Sequence, residues 1–235
     1  MKTNRLSRNL LRTVIIALLL LLTKAMHAQG TDNQGIEFGL HFDPVISWFG
    51  SDLRSVQNQG ARPGYNLGLT FNKFFGSNYA FSAGVNLINA GGKLKSSDTT
   101  IMKYSNFTST VLPGKPVIYK INYLSFPVGL KLQTNEIGYI TYFSNVGLDP
   151  KFVLGGKNTI PSLGITDESA NSELKFFNLG YHITAGIEYS LGGSTAVVLG
   201  INYENNFIDI TKETGKQPED KITHRLLSFR LGLNF

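Results

Sequence analysis

The chain has 235 residues, with 22 Lys+Arg against 16 Asp+Glu, a net charge of +6, 42% hydrophobic residues and no cysteine. The length suits one β-barrel domain or one to two ordinary soluble domains, and the absence of cysteine excludes both a disulfide-held fold and a lipid-anchored lipoprotein. Residues 1–28 carry Lys2, Arg5, Arg8, Arg12 and Lys24 and no acid, so without them 17 cations face 16 acids, a net of +1, and no charge argument for nucleic acid survives.

Residues 1–28 read as a secretory signal peptide: a basic start, an apolar run over residues 14–22, then small and polar residues up to Ala28. The run is shorter than the roughly 20 apolar residues of a spanning helix. Cleavage after Ala28 leaves residues 29–235 as the mature domain. Cleavage after Ala25 is the alternative, and an uncleaved N-terminal anchor is a third reading.

The mature part has no apolar stretch long enough for a spanning helix. What recurs is alternation with period two, the mark of a strand facing two environments. Ile36, Phe38, Leu40 and Phe42 alternate with Glu37, Gly39, His41 and Asp43. Tyr65, Leu67, Leu69 and Phe71 form one face of the next segment, and Tyr79, Phe81, Ala83, Val85 and Leu87 one face of the third. Residues 117–133 alternate through Tyr119, Ile121 and Tyr123, then change parity to Leu124, Phe126, Val128 and Leu130, which predicts a bulge at Pro127. Residues 139–154 have strand composition with mixed faces. Regular alternation returns over residues 177–191, 197–204 and 227–235.

About eight strands result. Long polar connections are predicted over residues 50–62, 91–116, 155–172 and 211–221, and short ones over 75–78, 134–138 and 192–194. Long loops at one end and tight turns at the other are the asymmetry of an up-and-down antiparallel transmembrane β-barrel. A soluble β-barrel would also alternate. Lipid outside is favoured by three features: a polar face rich in glycine and small residues, aromatics near strand ends (Tyr65, Tyr79, Tyr189, Tyr203), and a last strand that ends the sequence on Phe235. The predicted fold class is therefore all-β, and the predicted location is the cell outer membrane.

The stretch Tyr123-Leu124-Ser125-Phe126-Pro127-Val128-Gly129-Leu130-Lys131 resembles the Tyr-Leu-Glu-Ile-Pro-Leu-Leu-Leu-Lys segment of PorT-like outer-membrane barrel proteins of the Bacteroidetes. Arg62-Pro63-Gly64-Tyr65-Asn66-Leu67-Gly68 is similar to the opening of that family's second strand, and the strand from Gly180 to Tyr189 fits as well. Leu231-Gly232-Leu233-Asn234-Phe235 resembles the C-terminal signal read by the barrel-assembly machinery. The resemblance implies an outer-membrane barrel and, more remotely, type IX secretion. Ser125 departs from it, standing where the family carries Glu. If that Glu anchors a lumen network, this chain lacks the anchor or supplies it from another strand.

Glu37, Glu188, Glu204 and Arg230 fall on the small, polar face, and an ion-pair network around Arg230 is expected, because a lone buried charge is very costly. Such a network would plug an eight-stranded barrel, whose interior is only wide enough for side chains. Phe229, Leu231, Leu233 and Phe235 form the expected assembly signal. Among the histidines, His224 and Ser228 share a face but stand about 13 Å apart along a strand, too far for a catalytic pair. No enzyme activity, cofactor or metal is expected. Asp98-Thr99-Thr100 fits a Bacteroidetes O-glycosylation motif with Thr99 as acceptor, although an ordinary solvated loop accounts for it better. Lys103, Lys115 and Lys120 make the same region basic: lipopolysaccharide phosphates are the sharp reading, solvation the plainer one.

The expectation is a non-enzymatic anchor, scaffold or docking barrel. Its expected partners are outer-membrane lipid and lipopolysaccharide, the barrel-assembly machinery and secretion-machinery proteins. A small porin or ligand-binding barrel is the alternative, and a lipid-modifying enzyme the third reading.

Overall fold

The computed structural model describes residues 35–103, 107–212 and 221–235; the expected signal peptide, residues 1–28, lies outside them. Within the described residues the alternating segments become strands β1 (Ile36–Ser51), β2 (Val56–Gly76), β3 (Tyr79–Ser96), β4 (Thr100–Lys103), β5 (Thr108–Val111), β6 (Pro116–Ser125), β7 (Val128–Gln133), β8 (Ile140–Ile160), β9 (Ile165–Ser169), β10 (Phe177–Gly192), β11 (Thr195–Asn206) and β12 (Ile222–Asn234). A single 3-10 turn, Pro161–Leu163, leads into β9.

Each long strand pairs antiparallel with the next. β6 and β7 act as one interrupted strand between β3 and β8, and β12 returns to β1. The sheet thus closes into a ring of eight, the strand number expected from the sequence. Closure leaves no edge, which is what permits strands to stand in hydrocarbon. Short turns gather at one end; that between β10 and β11 uses Gly192 (φ +101°) and Gly193 (φ +63°), a conformation costly for other residues.

Two sequence expectations are corrected. The polar stretches 50–62, 91–116 and 155–172 are mainly strand rather than loop: β2 begins at Val56, β3 runs to Ser96 and β8 to Ile160. Nor does the wall bulge at Pro127. Ser125 pairs with Lys151 and Val128 with Leu148, so the register runs unbroken through the proline. Pro127 and Pro150 interrupt the ladder differently. Phe126 N–H donates to Pro150 O and Gly84 N–H to Pro127 O, each at 2.9 Å. Neither proline has an N–H to return the bond. The register shift lies instead at Asn122/Tyr123, opposite Gly155 and Val153, leaving Leu154 unmatched.

The change of parity has another cause. In β3 the odd residues face outward throughout and the even ones inward. Tyr79, Phe81, Val85 and Leu87 are exposed outside, while Ala80, Ser82 and Asn86 are buried inside. Beyond Leu87 the chemistry inverts, with Asn89, Lys93 and Lys95 outside and Ile88, Ala90 and Leu94 inside. β6–β7 repeats this, with Tyr119, Ile121 and Tyr123 buried within and Leu124, Phe126, Val128, Leu130 and Leu132 outside. β12 does the same: His224 and Leu226 are buried inside below Arg225, and Phe229, Leu231 and Leu233 are exposed outside.

The barrel therefore has two storeys. In one, apolar side chains such as Phe81 (61% exposed) and Phe42 (52%) point outward around a polar lumen. In the other, the inside is an apolar core of Phe49, Leu94, Met102, Tyr119, Ile121 and Ile222, and Lys93, Lys95, Asn122 and Lys157 lie outside. The first storey is about as tall as a bilayer. From Tyr79 to Leu87 and from Leu124 to Leu132 the outward apolar rows span nine residues, matching the roughly 9–11 of a tilted membrane-crossing strand. Aromatic contacts mark both edges, Phe75–Tyr79 and Tyr139–Tyr189 by the short turns, and Phe42–Tyr65 and Phe126–Phe152 at the far side.

The boundary predicts a contrast. Val128→Arg places a charge near mid-membrane on the outer wall and should cost about 2–4 kcal/mol, whereas Asn122→Arg on the same face should cost at most about 1 kcal/mol. Reversible urea unfolding in lipid vesicles measures both. Equal costs would remove the boundary.

Candidate functional site

The lumen of the lower storey is built from the inward residues of every ring strand. Lys131 (β7) is 97% buried at its side chain and is held between two acids, 2.8 Å from Glu37 Oε1 (β1) and 2.6 Å from Glu188 Oε1 (β10). Asn72 donates to Glu37 at 2.6 Å and Asn234 to Glu188 at 2.9 Å, which satisfies the carboxylates further. Nearer the storey boundary Lys151 (β8) meets Glu204 Oε2 (β11) at 2.5 Å, and Asn202 donates to Glu204 Oε1 at 2.8 Å. Thr184 in turn donates to Asn202. Buried charges survive only when paired and hydrogen-bonded in this way.

The expected network around Arg230 is thus corrected. Glu37 and Glu188 gather on Lys131, and Glu204 on Lys151. Arg230 stands apart, with Nη2 3.6 Å from Asp43 Oδ2 and Nε without a partner. Asp43 also accepts from Asn66 at 3.1 Å, and His41 Nδ1 lies 2.9 Å from it, off the line of a hydrogen bond. Glycines make room for the imidazoles: a Cβ on Gly68 would lie 2.4 Å from His41 Nε2, and one on Gly147 2.7 Å from His182 Cε1.

The two cationic partners were missed in the sequence, although one was within reach. Lys131 ends the stretch that carries the family resemblance, and it falls opposite the Leu124–Leu130 row. Lys151 was hidden because β8 reads as mixed. Its order emerges once Tyr142, Val146 and Leu148 are seen outside and Phe143, Asn145, Asp149 and Lys151 inside. Ser125 pairs with Lys151 in register and is fully buried. A Glu at 125 would face that lysine; here Glu204 supplies the carboxylate from β11.

His182 is 3.1 Å from Asp149 Oδ2 and 3.0 Å from Asn145 Oδ1. His224 is bound on both ring nitrogens, by the Tyr123 hydroxyl at 3.0 Å and by Gly91 O at 3.2 Å, and not by Ser228. This imidazole, its ring centroid 4.8 Å from that of Phe49 and tilted 37° to it, forms the floor of the apolar core. Between the side chains, cavities of about 30 and 20 Å³ leave room for isolated waters, and at the short-turn end the lumen opens into a recess of about 520 Å³ lined by Phe74, Gln133 and Thr141. Above the core a cleft of about 60 Å³ has Leu94, Met102 and Ile222 on its apolar side and Thr100, Lys115 and Glu173 on its polar side.

Outside the lumen, Phe229 (44% exposed), Leu231 (46%) and Leu233 (39%) point to lipid. Phe235 closes the ladder: its N–H donates to Phe38 O at 2.7 Å, and Phe38 N–H to Phe235 O at 3.1 Å. Thr99 is exposed in the turn before β4. Lys120 lies in the wall as part of β6, not in a loop.

A closed ring of eight antiparallel strands with an apolar outer belt and a charged, side-chain-filled lumen defines an integral membrane β-barrel. Residues 27–221 match the family described as outer membrane protein beta-barrel domain, and the chain belongs to that family and resides in the outer membrane. No curated protein sequence matches it. Among solved structures it is similar to Neisserial surface protein A (NspA), at 12% identity and TM-score 0.47 over 88% of this chain and 98% of that one. It is also similar to OprG from Pseudomonas aeruginosa, at 12% identity and TM-score 0.48 over 85% and 94%. The outer membrane protease OmpT from Escherichia coli is similar at 6% identity and TM-score 0.44 over 88% and 98%. Identities this low carry nothing about activity.

Proposed function

We propose that the protein is a non-conducting, non-enzymatic outer-membrane anchor that holds its outer storey beyond the bilayer as a docking platform. The observation that carries this reading is the double filling of the barrel. Ion pairs and amides occupy the membrane storey, and an apolar core occupies the storey outside it, so the interior serves rigidity rather than passage. Strands of 21 residues, such as β2 and β8, far exceed the length needed to cross. Their surplus builds the core that keeps the β4–β5 hairpin and β9 in place beside the membrane.

Purified protein in planar bilayers should show no discrete conductance steps up to ordinary test voltages; porin-like steps would sink the plugged-anchor reading in favour of a small pore. The resemblance around Tyr123–Lys131 supports a PorT-like role in Bacteroidetes protein secretion. A deletion strain should then retain secreted proteins in the periplasm, and normal secretion would remove that link while leaving the anchor reading intact.

A further inference from the structure

Just beyond the outer edge of the lipid-facing belt, one sector of the wall gathers cations that form no ion pair among the described residues. Lys120 on β6 and Lys157 on β8 are direct cross-strand partners in register, so both side chains leave the same outer face. Cβ atoms of such a pair stand about 4.5–5.5 Å apart, and like charges there repel. On the other side Lys120 faces Gly91 of β3, which has no side chain. That space is taken by Arg62, whose Cδ would lie 3.2 Å from a Cβ on Gly91 and whose Nη1 donates to Asn89 Oδ1 at 3.2 Å. Asn89 donates on to Asn122. Lys93, two residues beyond Gly91 on β3, faces the same way.

None of Arg62, Lys93, Lys120 and Lys157 forms an ion pair with a carboxylate among the described residues. Asp167 of β9 acts on Arg62 only at longer range. The row beneath them is apolar. Leu124 and Phe152 pair in register, and Phe126, Leu154 and Phe176 surround them, all directed outward. From Lys120 to Leu124 is four residues, about 13 Å along the strand, so the cations stand one layer above the apolar row, as a headgroup stands above its acyl chains.

We infer that this sector is a binding site for a phosphorylated lipid of the outer leaflet. Its acyl chains lie on Leu124, Phe126, Phe152 and Leu154, and its phosphate bridges Lys120 and Lys157 with Arg62 beside it. The occupant follows from position. The patch belongs to the wall immediately above the hydrocarbon belt, so the headgroup layer is what it meets, and phosphate is the group that turns the Lys120–Lys157 repulsion into attraction. Folding does not require two lysines in register; a lipid phosphate gives the arrangement a use.

The test is native mass spectrometry of the full protein in neutral detergent, titrated with phosphorylated lipid A and with the same lipid A stripped of phosphate. Wild type should retain the phosphorylated form at least about tenfold better, and Lys120→Gln with Lys157→Gln should lose that preference. Lys212→Gln, an exposed lysine beyond this sector, should keep it. Folding of each variant is checked by heat-modifiable gel mobility. Thermal unfolding gives a second reading: in lipid-free detergent Lys157→Gln should unfold at a higher temperature than wild type, and phosphorylated lipid A should reverse that order. Equal retention of the two lipids, an unchanged preference in the double variant, or a full thermal shift from inorganic phosphate alone would each overturn the site.

Discussion

Lys131→Met should lower the unfolding free energy of the barrel by about 3–5 kcal/mol, the cost of removing one partner from a buried ionic cluster. The size follows from what remains. Glu37 and Glu188 share this one ammonium, and the amides of Asn72 and Asn234 touch the same oxygens but cannot neutralise them. Two carboxylates would then face each other in a lumen with little room for water. Adding Glu37→Gln and Glu188→Gln to Lys131→Met should restore much of the loss, because the neutral set no longer buries charge. Arg230→Ala should cost less than Lys131→Met, since its contact with Asp43 is long and its Nε is already unpaired. Urea unfolding of refolded protein in detergent ranks the variants. An unchanged midpoint for Lys131→Met, or a larger loss at Arg230, would return the acids to the arginine.

The ring of strands was legible because hydrogen bonding in hydrocarbon permits few alternatives, and period-two alternation from Ile36 to Phe42, Tyr79 to Leu87 and Phe229 to Phe235 identifies its staves. The outer storey was not, since there the rule inverts. Tyr119, Ile121 and Tyr123 look like a lipid-facing row to a reader who assumes that apolar means outside. The apparent slip at Leu124 is a change of surroundings on an unchanged pleat. The same assumption turned residues 50–62 and 91–116 into loops, because their outward lysines and asparagines are polar while the few apolar residues, Val56 and Leu94, point into a core the sequence does not advertise.

The lumen was half legible. Glu37, Glu188 and Glu204 were placed on the inner face by parity alone, but partner choice depends on height in the barrel, and height depends on strand tilt and stagger, which alternation does not encode. Arg230 was the cation on a regular strand, so it drew the acids. Of the cations that hold them, Lys151 sits beside Pro150 on a strand that reads as mixed, and Lys131 lies opposite the Leu124–Leu132 row, where its face was readable but its partners were not. Cross-strand register, not strand composition, also put Lys120 opposite Lys157.

Removing Phe235 should abolish membrane insertion in cells while leaving refolding into detergent micelles nearly intact. A closure role and an expected signal role meet at Phe235, and the two assays separate them. Structurally, the Phe235 backbone makes a pair of ladder bonds to Phe38, and Asn234 donates to Glu188, so losing Phe235 trims the ring at its rim without opening it. Micelles with water close to that rim can satisfy the freed groups of Phe38. As a signal, Phe229, Leu231, Leu233 and Phe235 form the outward row expected to be read by the barrel-assembly machinery, and a row lacking Phe235 should not be recognised. Leu231→Asp should fail both assays, because the carboxylate would face lipid well inside the belt, where the residue is 46% exposed. Gly232→Asp should fail by another route, since even its Cβ would approach Leu40 O to 2.9 Å and the wall would have to shift. Heat-modifiable mobility of membranes from cells, set beside that of refolded protein, reports each outcome. Normal insertion without Phe235 would remove the assembly signal, and failure in micelles as well would make the residue part of the closure itself.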